Sequence, residues 1–401
     1  MTEAAGAVQE NAMAKRSPLM TGILFWCGLA VVSSLYITIP LVPVFADAFG
    51  ASPDQAAWAG SGFSFAYAVG SLFFGPLSDR FGRKQMMLAS LVTLSVITPL
   101  LGLAGSLPML IALRAIQGAA AASFAPAALA YAVEMYPQEK RVTAIGFITS
   151  GFLISGVAGQ VFSGSVSQSL GWPYVFFILG GVYFLSALLL GALLPKSEAQ
   201  PLNVNLLAPF KQLGTLILQP PLALCYAIAI VILLTFIGMY TALGDYLTRA
   251  PFDLSGDQIL GVRAAGMIGL LLSPVAGRLA GKFGTRKVLR TGLMLSVAGI
   301  TLIGCSSYLP IVIFMSIVFV AGISVTVPAL ISLIGMFAGE ARGAAVTLYT
   351  FILFIGATLG PIAALTLLKT GSPVLTFAGM GMFPVLGIVS SSILKMPERI
   401  S

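Results

Sequence analysis

Forty-nine consecutive residues, from Thr291 to Gly339, pass without one Asp, Glu, Lys or Arg, and a second uncharged run of 24 separates Asp54 from Asp79. A helix needs about 20 apolar residues to cross a bilayer. Charged residues make up 8% of the 401, where a soluble domain carries roughly a quarter. Water therefore cannot be the main solvent of this surface, and the chain reads as an all-α integral membrane protein.

The chain is also written twice. Gly75-Pro76-Leu77-Ser78-Asp79-Arg80-Phe81-Gly82-Arg83-Lys84 is a charged island, and 202 residues on stands a degraded copy, Gly277-Arg278-Leu279-Ala280-Gly281-Lys282-Phe283-Gly284-Thr285-Arg286. Leu107-Pro108 recurs as Leu309-Pro310, and Ala125-Pro126 as Val327-Pro328, at the same offset. One offset at three places marks an internal duplication, and duplicated hydrophobic halves are characteristic of transporters.

Hydropathy predicts spans at 19–46, 55–77, 85–105, 107–135, 142–168 and 172–195, then at 218–244, 258–277, 288–306, 308–338, 342–368 and 373–394. These form two six-helix bundles, 19–195 and 218–394, with a tail at 1–18, a linker at 196–217 and a tail at 395–401. Twelve crossings put both termini on one side. Seventeen of the 21 Lys and Arg fall on that side, only Arg249 and Lys369 fall opposite, and Arg114 and Arg263 lie within spans. The positive-inside rule makes the termini and linker cytoplasmic. The expected location is a cell membrane, of the bacterial inner-membrane kind, with the lipid bilayer as a partner.

The net charge of +8 is explained by these loops, and no basic face with interleaved aromatics points to nucleic acid. Cys27, Cys225 and Cys305 each sit in an apolar stretch and are expected to fill packing space. No metal site, cofactor or catalytic residue is expected. The many small residues within spans, among them Gly151, Gly156 and Gly159, suit close helix packing.

Gly75 to Lys84 resembles the signature loop between helices 2 and 3 of the major facilitator superfamily. Gly75 permits close contact at the end of helix 2, and Gly82 lets the chain turn. Asp79 suits a helix N-terminus, and Arg83 suits a carboxylate, for which Glu134 is the expected partner. The resemblance implies a latch closing the cytoplasmic side, with Asp79 against the start of helix 11 near Gly343-Ala344. Arg80 belongs to the same loop. The second copy has Gly281 where the acid should stand.

Arg114-Ala115-Ile116-Gln117-Gly118 resembles a second motif of the family, common in proton-coupled members. An arginine inside a span is costly and marks a functional site by default; its expected environment is the cavity, beside Gln117. Gly171-Trp172 with Phe176-Phe177 matches a further landmark. The resemblance covers nearly the whole chain and looks most like the 12-helix drug and metabolite efflux branch. Three departures stand out: no proline in Gly156-Val157-Ala158-Gly159-Gln160, no acid midway along span one, and no histidine anywhere.

The family places its substrate between the halves, and on the relevant spans Tyr36, Tyr67, Gln117, Tyr131, Gln160, Tyr240 and Tyr349 are the cavity candidates. Charge adds Arg263, expected to face the cavity with Asp245 or Asp257 as its partner. The function expected is a monomeric secondary transporter that exports a small organic molecule, drug or metabolite, by alternating access, with protons as the coupling ion. Uptake by a proton symporter or facilitator, and a non-transporting sensor or channel, are the alternatives. An enzyme is not expected, since no phosphate loop, metal cluster or nucleophile dyad is visible.

Overall fold

The computed structural model describes residues 2–136, 138–196 and 208–394; side chains are described for most of these, with 2–17, 75, 76 and 79 among the exceptions. The described elements are helices: α1 (Thr2–Ser33), α2 (Val42–Ala48), α3 (Pro53–Phe81), α4 (Arg83–Leu101), α5 (Leu107–Ala121), α6 (Phe124–Met135), α7 (Gln138–Leu170) and α8 (Trp172–Leu193) in the first half. The second half holds α9 (Ala208–Ile217), α10 (Pro220–Leu247), α11 (Gly256–Ala265), α12 (Met267–Leu270), α13 (Ser273–Phe283), α14 (Thr285–Gly304), α15 (Leu309–Ala338), α16 (Arg342–Leu368) and α17 (Pro373–Ile393).

Counting α5 with α6 as one, nine described helices are long and apolar enough to cross a membrane, and the bent run from α11 to α13 makes a tenth. The remaining two expected spans are covered by α3 and by the pair α1–α2, whose apolar part is the shorter Pro18–Ser33. Together they occupy the twelve expected spans in order. Part of the expected linker is the helix α9, while residues 197–207 and 395–401 lie outside the described set. Cys27 and Cys225 are buried as expected; Cys305, at the end of α14, is exposed instead.

Three spans expected to be continuous are broken. α1 stops at Ser33, turns fill 34–41, and α2 resumes at Val42. Pro40 has no amide to donate and disfavours a helical Ile39. Pro43 then falls in the first turn of α2, where a missing amide would be unpaired anyway. The fourth span breaks between α5 and α6. The eighth bends by 44° between α12 and α13. There a Cβ on Gly269 would stand 2.6 Å from the Ile317 carbonyl oxygen, so only glycine lets α12 approach α15 this closely.

The duplication is visible in the backbone. Gly82 ends α3 with φ 91° and ψ 141°, and Gly284 ends α13 with φ 91° and ψ 139°, a region that L-residues with side chains rarely enter. Two residues later, Lys84 donates to Gly191 O (2.8 Å) and Leu194 O at the end of α8. Arg286 likewise donates to Ser391 O (3.0 Å) and Ser392 O (2.6 Å) at the end of α17. Each cation covers open carbonyls at a helix C-terminus and complements its dipole. The halves meet mainly along α3 with α16 and α7 with α11, with a smaller contact between α7 and α12.

Candidate transport site

A cavity of about 770 Å³ lies between the halves. Tyr36, Tyr67, Pro126 and Phe152 line it from the first half, and Phe236, Ser324, Pro328, Tyr349, Thr350 and Phe354 from the second. Among the described residues that line it there is no Asp, Glu, Lys or Arg. The lining continues through Leu129 of α6, Thr149 of α7, Met336 of α15 and Val346 of α16. These positions carry the cavity towards the face that bears the Gly82 and Gly284 turns.

The opposite end is closed by contacts between the halves. Ser61 Oγ on α3 donates to Thr358 O on α16 at 2.8 Å. Arg263 Nη1 on α11 donates to Gln160 Oε1 on α7 at 3.2 Å. Ser61 and Arg263 are themselves 202 residues apart, so the duplication repeats the position of the seal and varies its chemistry. Further out, Lys369 and Asp54 form an ion pair at 2.6 Å. Beneath the seal, Thr38, Ser64 and Thr241 border a residual space of about 10 Å³, on the order of one water.

Three of the seven cavity candidates line the cavity: Tyr36, Tyr67 and Tyr349. The Tyr67 and Phe354 rings stack across the two halves, 3.8 Å between centroids and 7° from parallel. The other four are elsewhere. Gln117 is buried between Arg114 and Thr98, whose hydroxyl accepts at 2.9 Å. Tyr131 reaches away to donate to Pro195 O at 2.9 Å. Gln160 belongs to the seal, its amide held on Gly156 O at 2.6 Å. Tyr240 is fully buried one turn beyond Phe236.

Arg114 is fully buried within the first half and does not line the cavity as expected. It donates to Ala59 O (3.1 Å), Ser34 O (2.7 Å) and Gln117 Oε1, and its guanidinium stands 4.3 Å from the centre of the Phe63 ring. The break after Ser33 explains this place, because a carbonyl released from the helix ladder at Ser34 is open to a donor.

Arg263 pairs with neither expected acid and does not line the cavity; besides Gln160 it donates to Tyr240 O at 3.3 Å. Asp245 instead binds Arg249 at 2.9 Å, the neighbour four residues on, which needs little ordering of the chain. Asp257 is exposed in the first turn of α11; six residues of helix put it about 9 Å from Arg263 along the axis.

In the signature loop, Arg83 Nε donates to Glu134 Oε1 at 2.9 Å, and Nη1 donates to Ser78 Oγ. Arg80 is exposed against the Phe81 ring. The side chain of Asp79 and position 75 lie outside the described set, and with them the expected contact to Gly343-Ala344. Sequence reasoning missed the aromatic lining residues Phe152, Phe236 and Phe354, which an apolar span does not single out. Pro126 and Pro328 were within reach, since their repeated Ala-Pro and Val-Pro landmarks border the cavity from both halves.

Close packing accompanies this geometry. A Cβ on Gly151 would meet Phe25 O at 2.8 Å and one on Gly159 would meet Ser33 O at 2.8 Å, so α7 lies directly on the α1 backbone. A Cβ on Gly156 would stand 3.3 Å from Phe236 of the other half.

The chain matches the family model of the Major Facilitator Superfamily over residues 24–271 and 252–399. It is 27% identical to an uncharacterized transporter of Buchnera aphidicola (subspecies Schizaphis graminum), over 84% of this chain and 81% of that protein. It is 28% identical to the multidrug resistance protein MdtG of Erwinia billingiae, over 68% of each. Among solved structures, a bacterial homologue of the human lysosomal transporter Spinster superposes in its inward-facing unoccupied and occupied forms with TM-scores of 0.69 and 0.70. Identity is 18% in both, over 94% of this chain and 96% and 95% of the other. That likeness carries the fold alone, and the family match carries the assignment: the chain belongs to the Major Facilitator Superfamily and is a multi-pass membrane transporter.

Proposed function

We propose that this protein exports a small organic molecule from the cytoplasm of a bacterial cell by alternating access, as a monomer in the inner membrane, in exchange for protons. The observation that supports this reading most is a large cavity at the seam of the halves, reaching one face and closed towards the other by Ser61, Arg263 and Lys369 with their partners. Two bundles rocking about such a site expose it to each side in turn. The basic loops make the open face cytoplasmic, so the form described is inward-open. The MdtG relatives are multidrug resistance proteins, which favours export.

In this mechanism the Arg83–Glu134 pair orders the cytoplasmic loop that closes when the Arg263–Gln160 and Ser61–Thr358 contacts part. Arg263 acts as the donor of the outer seal rather than as the cation of an acid pair. Inverted membrane vesicles energised with a proton gradient test the reading over a panel of neutral and charged compounds. Accumulation that collapses with an uncoupler is the expected result. Equilibration without response to the gradient would replace antiport with facilitated diffusion, a reading the uncharged cavity lining favours.

A further inference from the structure

Behind the cavity wall each half holds a buried guanidinium whose hydrogen-bond partners are all neutral. In the first half, Arg114 lies on the Phe63 ring, and that ring is 6.1 Å from Tyr67 of the cavity wall. In the second, Arg263 bonds the Tyr240 backbone, and the Tyr240 ring is 5.2 Å from Phe236, which also lines the cavity. Both cations are nearly or fully excluded from solvent, at 0% and 3% exposure. Their positive potential is therefore weakly screened, and the described lining holds no acid to cancel it.

Three tyrosines from the two halves, Tyr36, Tyr67 and Tyr349, line the same cavity. Tyr36 also meets Phe236 of the other half edge-on at 5.8 Å. The Tyr349 hydroxyl is buried against the cavity and makes no hydrogen bond within the described protein. An unpartnered buried hydroxyl is uncommon and costs free energy until something bonds to it. Two of the nearby aromatic faces are already taken, since Tyr67 and Phe354 cover one another and an arginine occupies the Phe63 face behind the wall.

We infer that the cavity selects an uncharged, ring-bearing organic molecule whose hydrogen-bond acceptor docks on Tyr349 beside Tyr36 and Tyr67, and that it rejects organic cations. This rests on the transport reading above and names the substrate class for the same site. The rings pack against the apolar walls, and the acceptor meets hydroxyls backed by the two guanidiniums.

Three compounds that share the same three phenyl rings test it: triphenylphosphine oxide, a neutral acceptor; triphenylmethane, neutral without an acceptor; and methyltriphenylphosphonium, a cation. Binding of each tritiated compound to the purified full-length chain is measured against empty micelles. The oxide should bind about three- to tenfold more tightly than triphenylmethane, and the phosphonium weakest of all. Tyr349→Phe keeps the ring and the packing, so it should erase the gap between oxide and triphenylmethane without lowering the thermal midpoint. A phosphonium that binds as tightly as the oxide overturns the inference, as does a gap that survives Tyr349→Phe, or a failure of all three to bind. Reconstituted vesicles compared with protein-free ones separate this from transport itself: an oxide that binds and crosses no faster with the protein than without it counts against the transporter reading and upholds the cavity chemistry, while a phosphonium whose crossing the protein accelerates does the reverse.

Discussion

At Gly82 and at Gly284 the chain makes the same turn, with φ of 91° in both, and two residues later Lys84 and Arg286 cover the last helix end of their own half. The residue between is Arg83 in one copy and Thr285 in the other, and the position of Glu134 is filled by Met336 in the second. One half thus carries the Arg83–Glu134 ion pair at its signature loop, where the equivalent positions of the other are uncharged. What both copies kept, a glycine and a helix-capping cation, holds helices together. What only one copy carries is free to specialise. The same division holds deeper in the bundle, where Arg114 has Ser316 as its counterpart and Arg263 has Ser61.

The sharpest way to break this comparison is at Arg114. Replacing it with Ala strips donors from Ser34 O and Ala59 O at once, at a cost of about 3 kcal/mol or more, and should prevent recovery of folded protein or lower its thermal midpoint steeply. Ser316→Ala loses one bond to Ile313 O and should cost about 1 kcal/mol or less. Equal losses would show that the two halves use these positions alike.

Next come the turn glycines. Ala at either position is forced into a strained backbone, for about 1–3 kcal/mol, so both variants should be destabilised in thermal unfolding. Gly82→Ala should suffer more, because its Cβ would meet Gln85 Oε1 while nothing lies within 4 Å at Gly284. A variant at either site that behaves as wild type would dissolve the claim that both turns need glycine.

The seal gives a smaller and more functional effect. Arg263→Gln loses a charge-assisted bond of about 1.5–3 kcal/mol, against about 1 for Ser61→Ala. A cysteine at Thr241, just beneath the seal, should therefore react faster with an impermeant maleimide from the outer side in the Arg263 variant, and less so in the Ser61 variant. Unchanged labelling in both would mean that apolar contacts alone hold this end shut. The smallest effect belongs to Lys369→Gln, since both partners of the Asp54 pair are well exposed; stability should change by about 0–1 kcal/mol, and less at high salt.

Arg114 and Arg263 were legible as special because a charge inside an apolar span needs a reason. Their partners were not, since the acceptors are carbonyls on other helices and a glutamine 103 residues away. Arg83 and Glu134 were legible as a pair because complementary charges are rare here and both lie at helix ends on one side. Asp245 was expected beside Arg263, but its partner is Arg249, the cation four residues on in its own chain segment. Among the tyrosines, nothing in sequence separated Tyr349, at the cavity, from Tyr131, bonded to Pro195.

The amino-acid sequence by itself determined the twelve apolar passes, their pairing into two related halves, and the two glycine turns, because bilayer thickness, charge cost and positive φ each act on a residue without reference to its neighbours in space. The tertiary structure alone decided which side chains face the cavity, which seal it, and where helices break against one another. In water an inward face announces itself by its apolar period, whereas here exposed Phe65 and Leu185 are as apolar as buried Phe63 and Leu190. With lipid on one side and protein on the other, only packing distinguishes them.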